Sequence, residues 1–125
     1  MNTHAHKDAA VSFLMLAASG RVKQAFQHHV GNGFRHHNPQ FRGDAVSLAD
    51  AMEQSAAMHP DTSLEVLQSL QDGDQVAVFS RIHHEPGDAG MAVVHVFRFA
   101  AGRIVEMWDI IQPVPAEVVN EHGMF

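Results

Sequence analysis

Apolar residues in the first half of the chain recur at three- and four-residue spacing, which is typical of amphipathic helices. The pattern predicts three helices: the first capped by Asn2 or Thr3, the second ended by Gly31-Asn32-Gly33, and the third running from Asp44 to Met58. Their apolar stripes are, in order, Ala10, Phe13, Leu14 and Ala17; Val22, Ala25, Phe26 and Val30; and Ala45, Leu48, Ala49, Met52 and Ala56. Between the second and third helices, the segment FRHHNP is expected to be short and extended.

The second half alternates apolar and polar residues, which is typical of half-buried strands. Four strands are predicted, the first through Leu64, Val66 and Leu70 and the others over residues 75–84, 91–100 and 103–112. Short turns join them into an antiparallel meander. Helices followed by a meander predict a single α+β domain over residues 1–125, with the helices covering one face of a curved sheet. Such a sheet leaves a concave pocket.

Composition then excludes several classes of protein. The chain has 125 residues, no cysteine and a net charge of −6 with neutral histidines. Disulfides and thiolate chemistry are therefore excluded, and a reducing, cytoplasmic location is expected. Without a basic cluster, nucleic acid is not an expected partner. Without a long apolar run or a signal-like start, neither is a membrane.

Several sequence runs resemble one known family: HNP after a glycine-rich break, then GDQVAVFSR, EPGDAGMAVVHVFRF and GRIVEMWDIIQPVP. They are similar to the SnoaL-like polyketide cyclase group of the nuclear transport factor 2-like superfamily, in the right order over nearly the whole chain. The resemblance implies a cone, with three helices packed on the concave side of a strongly bent antiparallel sheet, a pocket inside, and commonly a homodimer. Members include aldol cyclases, ketosteroid isomerase, epoxide hydrolases and dehydratases.

The chain departs from this family at three positions. Close relatives usually carry His at the position of Phe79, Asp at that of His95 and His at that of Met107. The family's acidic residue at position 95 serves as acid/base or as hydrogen-bond donor to an enolate. Asn38 matches the position of the general base of ketosteroid isomerase and cannot act as a base, which weakens an isomerase interpretation.

His95 is the leading catalytic candidate on the strand pattern itself. Alternation places it on an apolar face with Met91, Val93, Phe97 and Phe99. On the next strand, alternation groups Asp109 with Arg103, Val105, Met107 and Ile111. A His–Asp pair across adjacent strands could orient the imidazole and strengthen it as a base. A hydrogen-bonded core histidine and a strand-end carboxylate are the structural alternatives.

The other candidates line the expected pocket. His36 and His37 face opposite sides of an extended segment, so only one can line it; the resemblance favours His37. Asn38 could bond a substrate oxygen, although a turn before Pro39 is its simpler role. The expected apolar lining, for which plain core packing is the alternative, comprises Phe34, Phe79, Phe97, Met107 and Trp108; for Trp108 a dimer contact is a further alternative.

Two hypotheses about function follow. The first is a cofactor-independent cyclase- or isomerase-type enzyme that uses acid/base catalysis on a hydrophobic, carbonyl-bearing small molecule. The second is a small-molecule-binding or structural dimer with a degenerate active site, which the departures at Phe79, His95 and Met107 support. The 11 histidines raise the question of a metal, but no metal-ligand motif appears, so no metal or other cofactor is expected.

Overall fold

A computed structural model of the chain describes residues 4–125 and contains three helices and one sheet. The helices are α1 (Ala5–Ala18), α2 (Val22–His29) and α3 (Ala45–Met58), and the strands are β1 (Val30–His36), β2 (Ser63–Asp72), β3 (Gln75–His83), β4 (Met91–Ala100) and β5 (Arg103–Pro113). The predicted α+β architecture, with helices packed on a curved sheet, is confirmed. None of the described helices combines the length and the apolar character that crossing a membrane requires.

The helix ends follow local chemistry. Asp44 caps α3, because its carboxylate accepts a hydrogen bond from the Ser47 backbone N–H at 2.9 Å. This bond lowers the pKa of the Asp44 carboxyl, and it satisfies one of the free N–H groups at the helix start. The predicted caps Asn2 and Thr3 lie outside the described residues, and His4 occupies the N-cap position of α1.

The sheet has five strands in the order β1-β5-β4-β3-β2. The predicted antiparallel meander β2–β5 is confirmed, and β1 adds one parallel pairing, with β5. Val30 was wrongly predicted to be helical, and the run Gly31-Asn32-Gly33 lies inside β1 instead of ending its element. A Cβ atom at Gly31 would approach the Arg103 Cβ to 3.0 Å, so glycine lets β1 lie close against β5.

The two faces of the sheet have different roles. On β4 the inward residues Val93, His95, Phe97 and Phe99 are buried, as alternation predicted. On β5 the prediction was wrong for Arg103 and Val105. The register shifts there, since Phe99 pairs with Ile104 but Arg98 pairs with Glu106. This bulge reverses the alternation, so Ile104, not Arg103 or Val105, joins Met107 in the core.

Candidate functional site

His95 and Asp109 lie directly opposite each other on β4 and β5. They are the only cross-strand pair of a titratable ring and a carboxylate on the inner face of these two strands. Among residues 4–125, however, no hydrogen bond joins the two side chains, and the buried Nδ1 atom of His95 has no partner. The predicted juxtaposition therefore exists, but the carboxylate acts on the imidazole through its charge and does not orient the ring.

Asp109 is held instead by Asn38, two residues after the end of β1. The Asn38 side-chain Nδ2 donates to Asp109 Oδ2 at 3.0 Å. Asn38 Oδ1 in turn accepts from the backbone N–H of Gln40 at 2.9 Å, so one amide both shapes the turn around Pro39 and fixes the carboxylate. The turn role considered for Asn38 and a role at the site are thus combined in one side chain.

His36, not His37, faces the inside of the sheet. His36 is only 5% exposed and follows the core residue Phe34 at alternate spacing on β1. Its Nδ1 accepts a hydrogen bond from the Asn38 backbone N–H at 3.2 Å, which places the proton of the neutral ring on Nε2. That Nε2 is buried and has no partner among the described residues. We call His36, Asn38, His95 and Asp109 the inner cluster.

Burial controls the charge of both imidazoles in the inner cluster. It lowers the pKa of His95 to about 4, although the negative charge of Asp109 acts in the opposite direction. Burial also lowers the pKa of His36, again against the attraction of Asp109. Both rings are therefore neutral at pH 7. The free Nε2–H of His36 can donate a hydrogen bond, and the unpaired Nδ1 of His95 can donate or accept one according to its tautomer.

A half-open cavity of about 150 Å³ lies between the helices and the inner face of the sheet, and His95 forms part of its wall. The remaining lining residues lie on α1 and α3, on or just before β2, and on or just after β3: Leu14, Ala17, Ala18, Met52, Ser55, Ala56, Thr62, Leu64, Ile82 and His84. The wall is mostly apolar, with His95 as its contribution from the middle of the sheet. A ligand in this cavity would meet the inner cluster through His95.

The apolar residues predicted to line the pocket lie elsewhere. Phe34, Phe97 and Met107 are buried in the core cluster and do not form the cavity wall. Phe79 and Trp108 point to the outer face, because they alternate with the inward residues of β3 and β5. Phe79 stacks there on Phe125, at 6.1 Å between ring centroids, and therefore cannot close the cavity.

A second polar cluster occupies the outer face. The Glu106 carboxylate accepts hydrogen bonds from Arg35 Nε at 2.9 Å, Arg98 Nε at 3.0 Å and His37 Nε2 at 2.6 Å. The His37 ring also stacks on Trp108, at 4.9 Å between centroids. The bonds from Arg35 and His37, with a smaller contribution from Arg98, lower the pKa of Glu106 to about 2. We call Arg35, His37, Arg98 and Glu106 the outer cluster.

Sequence reasoning missed His36 and Glu106. Alternation from Phe34, an expected lining residue, would have placed His36 on the inner face, but the family resemblance favoured His37. Alternation with Asp109 puts Glu106 on the outer face, but its partners Arg35 and His37 come from and just after β1, whose parallel pairing with β5 leaves no pattern in the sequence. Across residues 4–125, no three His, Asp or Glu side chains converge closely enough to hold a metal ion.

Comparisons with known proteins agree with this architecture. The sequence profile of the SnoaL-like domain family matches residues 11–107, whereas a search of the curated proteins gives no significant match. A SnoaL-like protein of unknown function from Burkholderia thailandensis has a similar structure, with a TM-score of 0.74, 16% identity, and coverage of 89% of this chain and 97% of that chain.

Two further solved structures have related folds. A candidate polyketide cyclase from Bacillus cereus gives a TM-score of 0.73 at 18% identity, covering 86% of this chain and 74% of that chain. AclR, a candidate hydroxylase from Streptomyces galilaeus, gives a TM-score of 0.72 at 23% identity, covering 91% of this chain and 83% of that chain. At these identities the likeness is one of fold.

Proposed function

Because the chain belongs to the SnoaL-like domain family, we propose that it is a cofactor-independent cyclase- or isomerase-type enzyme for a hydrophobic, carbonyl-bearing small molecule. The observation that carries this proposal is His95, a buried imidazole with an unpaired ring nitrogen in the wall of a mostly apolar cavity. An unpaired buried polar atom costs stability. A ligand that pairs with His95 recovers that free energy on binding.

The proposed reaction begins with proton transfer to His95. The neutral ring takes a proton from the carbon next to the carbonyl. The electron pair of that C–H bond forms a carbon–carbon double bond, and the π pair of the carbonyl moves to its oxygen to give an enolate. Asp109, opposite His95 on β5, stabilises the imidazolium by its negative charge. The imidazolium then returns the proton, to a different carbon in an isomerisation or to the new alkoxide after the enolate carbon has closed a ring.

Exchange of hydrogen for deuterium at that carbon tests the proposal without knowledge of the final product. Ketones are incubated with the protein in D2O, and loss of the α-proton signal is followed by NMR. We expect the protein to accelerate exchange, and His95→Gln to reduce the acceleration about 100-fold, within the range of general acid–base catalysis. His37→Gln is the matched control, because that ring lies on the outer face. Equal loss in both variants would contradict the assignment of His95.

Ligand binding without turnover is the second candidate function. The observation that favours it is the pKa of about 4 for His95, since a weaker base has less driving force to remove a proton from carbon. In the same NMR experiment this alternative predicts ketone signals that broaden or shift on binding while every α-proton is retained.

We also propose that two copies associate through the outer face. Ile110 is 69% exposed there, next to Val94 on β4 and close to Phe79, and exposed apolar surface of this kind suits a self-complementary contact. Sedimentation equilibrium is expected to give the mass of two chains for the wild type and of one chain for Ile110→Lys. Val46→Lys is the control, because Val46 is equally exposed, at 70%, but lies on α3. A monomeric wild type would refute the dimer.

A further inference from the structure

The size of the cavity limits what can occupy it. Its volume is about 150 Å³, similar to that of a dry, apolar cavity of about 150 Å³ known to bind benzene. The walls are packed elements, with Leu14 on α1, Met52 on α3, and Leu64 on β2. Two fused rings would have to displace these side chains or project out of the opening. The enclosed space therefore matches one six-membered ring.

The charge of the cavity wall also limits which ligands can bind. The lining contains no Asp, Glu, Lys or Arg, and its titratable side chains are His84 and His95. A carboxylate or phosphate inside would lose its water without gaining a permanent cationic partner, which is costly. The part of the ligand that enters the cavity is therefore uncharged.

The polar groups of the wall form two separate sets. His95 contributes one, from the middle of β4 opposite Val78. The other comprises Ser55, Thr62 and His84, which lie near the end of α3, just before β2 and just after β3. Leu64 and Ile82 supply apolar wall on β2 and β3. A ligand that satisfies both sets carries an oxygen on each side of an apolar ring.

The His84 ring is held in place by a stack. It lies against His59 with 4.4 Å between ring centroids and 14° between ring planes. His59 is itself fixed, because its backbone N–H donates to the Ser55 carbonyl at 2.8 Å and its own carbonyl accepts from Thr62 Oγ1 at 2.8 Å. An imidazole fixed in this way binds a ligand oxygen at a smaller entropic cost than a free side chain.

We propose that the ligand is a neutral, single-ring carbonyl compound with a second oxygen across the ring, its carbonyl at His95 and its second oxygen at His84. This inference rests on the proposed function, since it assumes that a carbonyl compound occupies the cavity. The ring is bounded by the helices, and the second oxygen lies towards Ser55 and Thr62.

Four commercial probes separate the elements of this proposal. They are 4-hydroxycyclohexanone, cyclohexanone without the second oxygen, 4-oxocyclohexanecarboxylate with a negative charge, and 1-tetralone with two fused rings. Calorimetry is expected to give at least tenfold tighter binding of 4-hydroxycyclohexanone than of each of the others. Tighter binding of the tetralone or of the carboxylate would overturn the proposal.

Three variants on α3 test the location. Ala56→Leu fills the cavity and is expected to weaken binding of 4-hydroxycyclohexanone more than tenfold, whereas Ala57→Leu, at the exposed neighbouring position on α3, leaves it unchanged. Met52→Ala enlarges the cavity and is expected to improve binding of 1-tetralone. Equal effects of the two leucine variants would place the ligand elsewhere and overturn the proposal.

His84→Phe tests the second oxygen. Phenylalanine can keep the stack on His59 but has no ring nitrogen, so the preference for 4-hydroxycyclohexanone over cyclohexanone should disappear. An undiminished preference would overturn the role of His84. If only the larger ketones bind and exchange their α-protons, this inference fails and the proposed function stands; if no probe of any size binds, the proposed function fails with it.

Discussion

The inner and outer clusters lie back to back on β1, β4 and β5, and they differ in whether their polar atoms are paired. In the outer cluster, Glu106 accepts hydrogen bonds from two arginines and a histidine. In the inner cluster, one ring nitrogen of His36 and one of His95 are buried without partners among residues 4–125. Paired buried groups contribute stability, and unpaired ones cost it. The comparison indicates that the outer cluster stabilises the fold, whereas the inner cluster costs stability, as the proposed ligand site requires.

Removing the charge of Glu106 is expected to have the largest effect on stability. Glu106→Gln leaves two arginines and a histidine facing an amide that also carries donors, so we expect a loss of about 2 kcal/mol in the free energy of unfolding. Urea unfolding at pH 7 measures it. A loss below about 0.5 kcal/mol would mean that the outer cluster is no more than a set of weak surface ion pairs.

Acid titration tests whether the stabilising effect of Glu106 is ionic. The pKa of Glu106 in the folded protein is about 2, below its ordinary value of 4.5. The ionised carboxylate therefore makes its full contribution to the free energy of unfolding above pH 4.5, and this contribution is lost as the pH falls towards 2. The stability difference between the wild type and Glu106→Gln should therefore shrink over this window, as measured by urea unfolding at a series of pH values. A difference independent of pH would contradict an ionic origin.

Asp109→Asn should affect chemistry more than stability. The change removes the charge that raises the pKa of His95, while the amide can still accept the hydrogen bond from Asn38. We expect the pKa of His95 to fall further and α-proton exchange to slow about tenfold, because the imidazolium loses its counter-charge. Ring NMR and the exchange assay give the two readouts. Asp50→Asn, at an exposed position on α3, is the control and should change neither.

Replacing His95 by leucine should change the free energy of unfolding only slightly. The change should be an increase, whereas Glu106→Gln causes a decrease. Leucine removes a buried unpaired nitrogen, so we expect stability at pH 7 to rise by about 1 kcal/mol while exchange activity is lost. The wild-type pKa of about 4 lies below the ordinary 6.5. The wild type therefore loses stability as the pH falls from 6.5 through 4, whereas the His95→Leu variant has no such loss at this position.

That pH dependence provides the decisive comparison. The advantage of His95→Leu over the wild type should widen between pH 6.5 and 4 in urea unfolding experiments. A variant that is clearly less stable than the wild type at every pH would mean that His95 is a satisfied core residue, which is the structural alternative considered from the sequence.

The sequence predicted most of the fold because the helices and the meander depend on local periodicity. The stripe through Phe13 and Leu14 and the alternation through His95 both lie where they were expected. The pairing of β1 with β5 was not predictable, because a parallel contact between distant segments leaves no pattern in either of them. The same holds for the bulge that turns Ile104 inward.

The candidate site was less predictable than the fold. Alternation predicted that His95 and Asp109 lie on the inner face of adjacent strands. Their direct opposition depends on the bulge, because the hairpin pairs Phe99 with Ile104 and the extra residue in β5 then brings Asp109 opposite His95. The choice of His37 over His36 followed the family resemblance, and the structure turns His37 to the outer face. Alternation along β3 and β5 places Phe79 and Trp108 on the outer face, so their expected place in the pocket lining was wrong.

The parallel contact between β1 and β5 also affects the order of folding. The bonds from Arg35, His37 and Asn38 to β5 join residues 69 to 71 positions apart, whereas the meander is built from neighbouring hairpins. Distant contacts form late, because closing a long loop costs entropy before any contact repays it. We expect β1 to dock last and to open first in native-state hydrogen exchange. Both clusters would then be completed, and lost, in the same step.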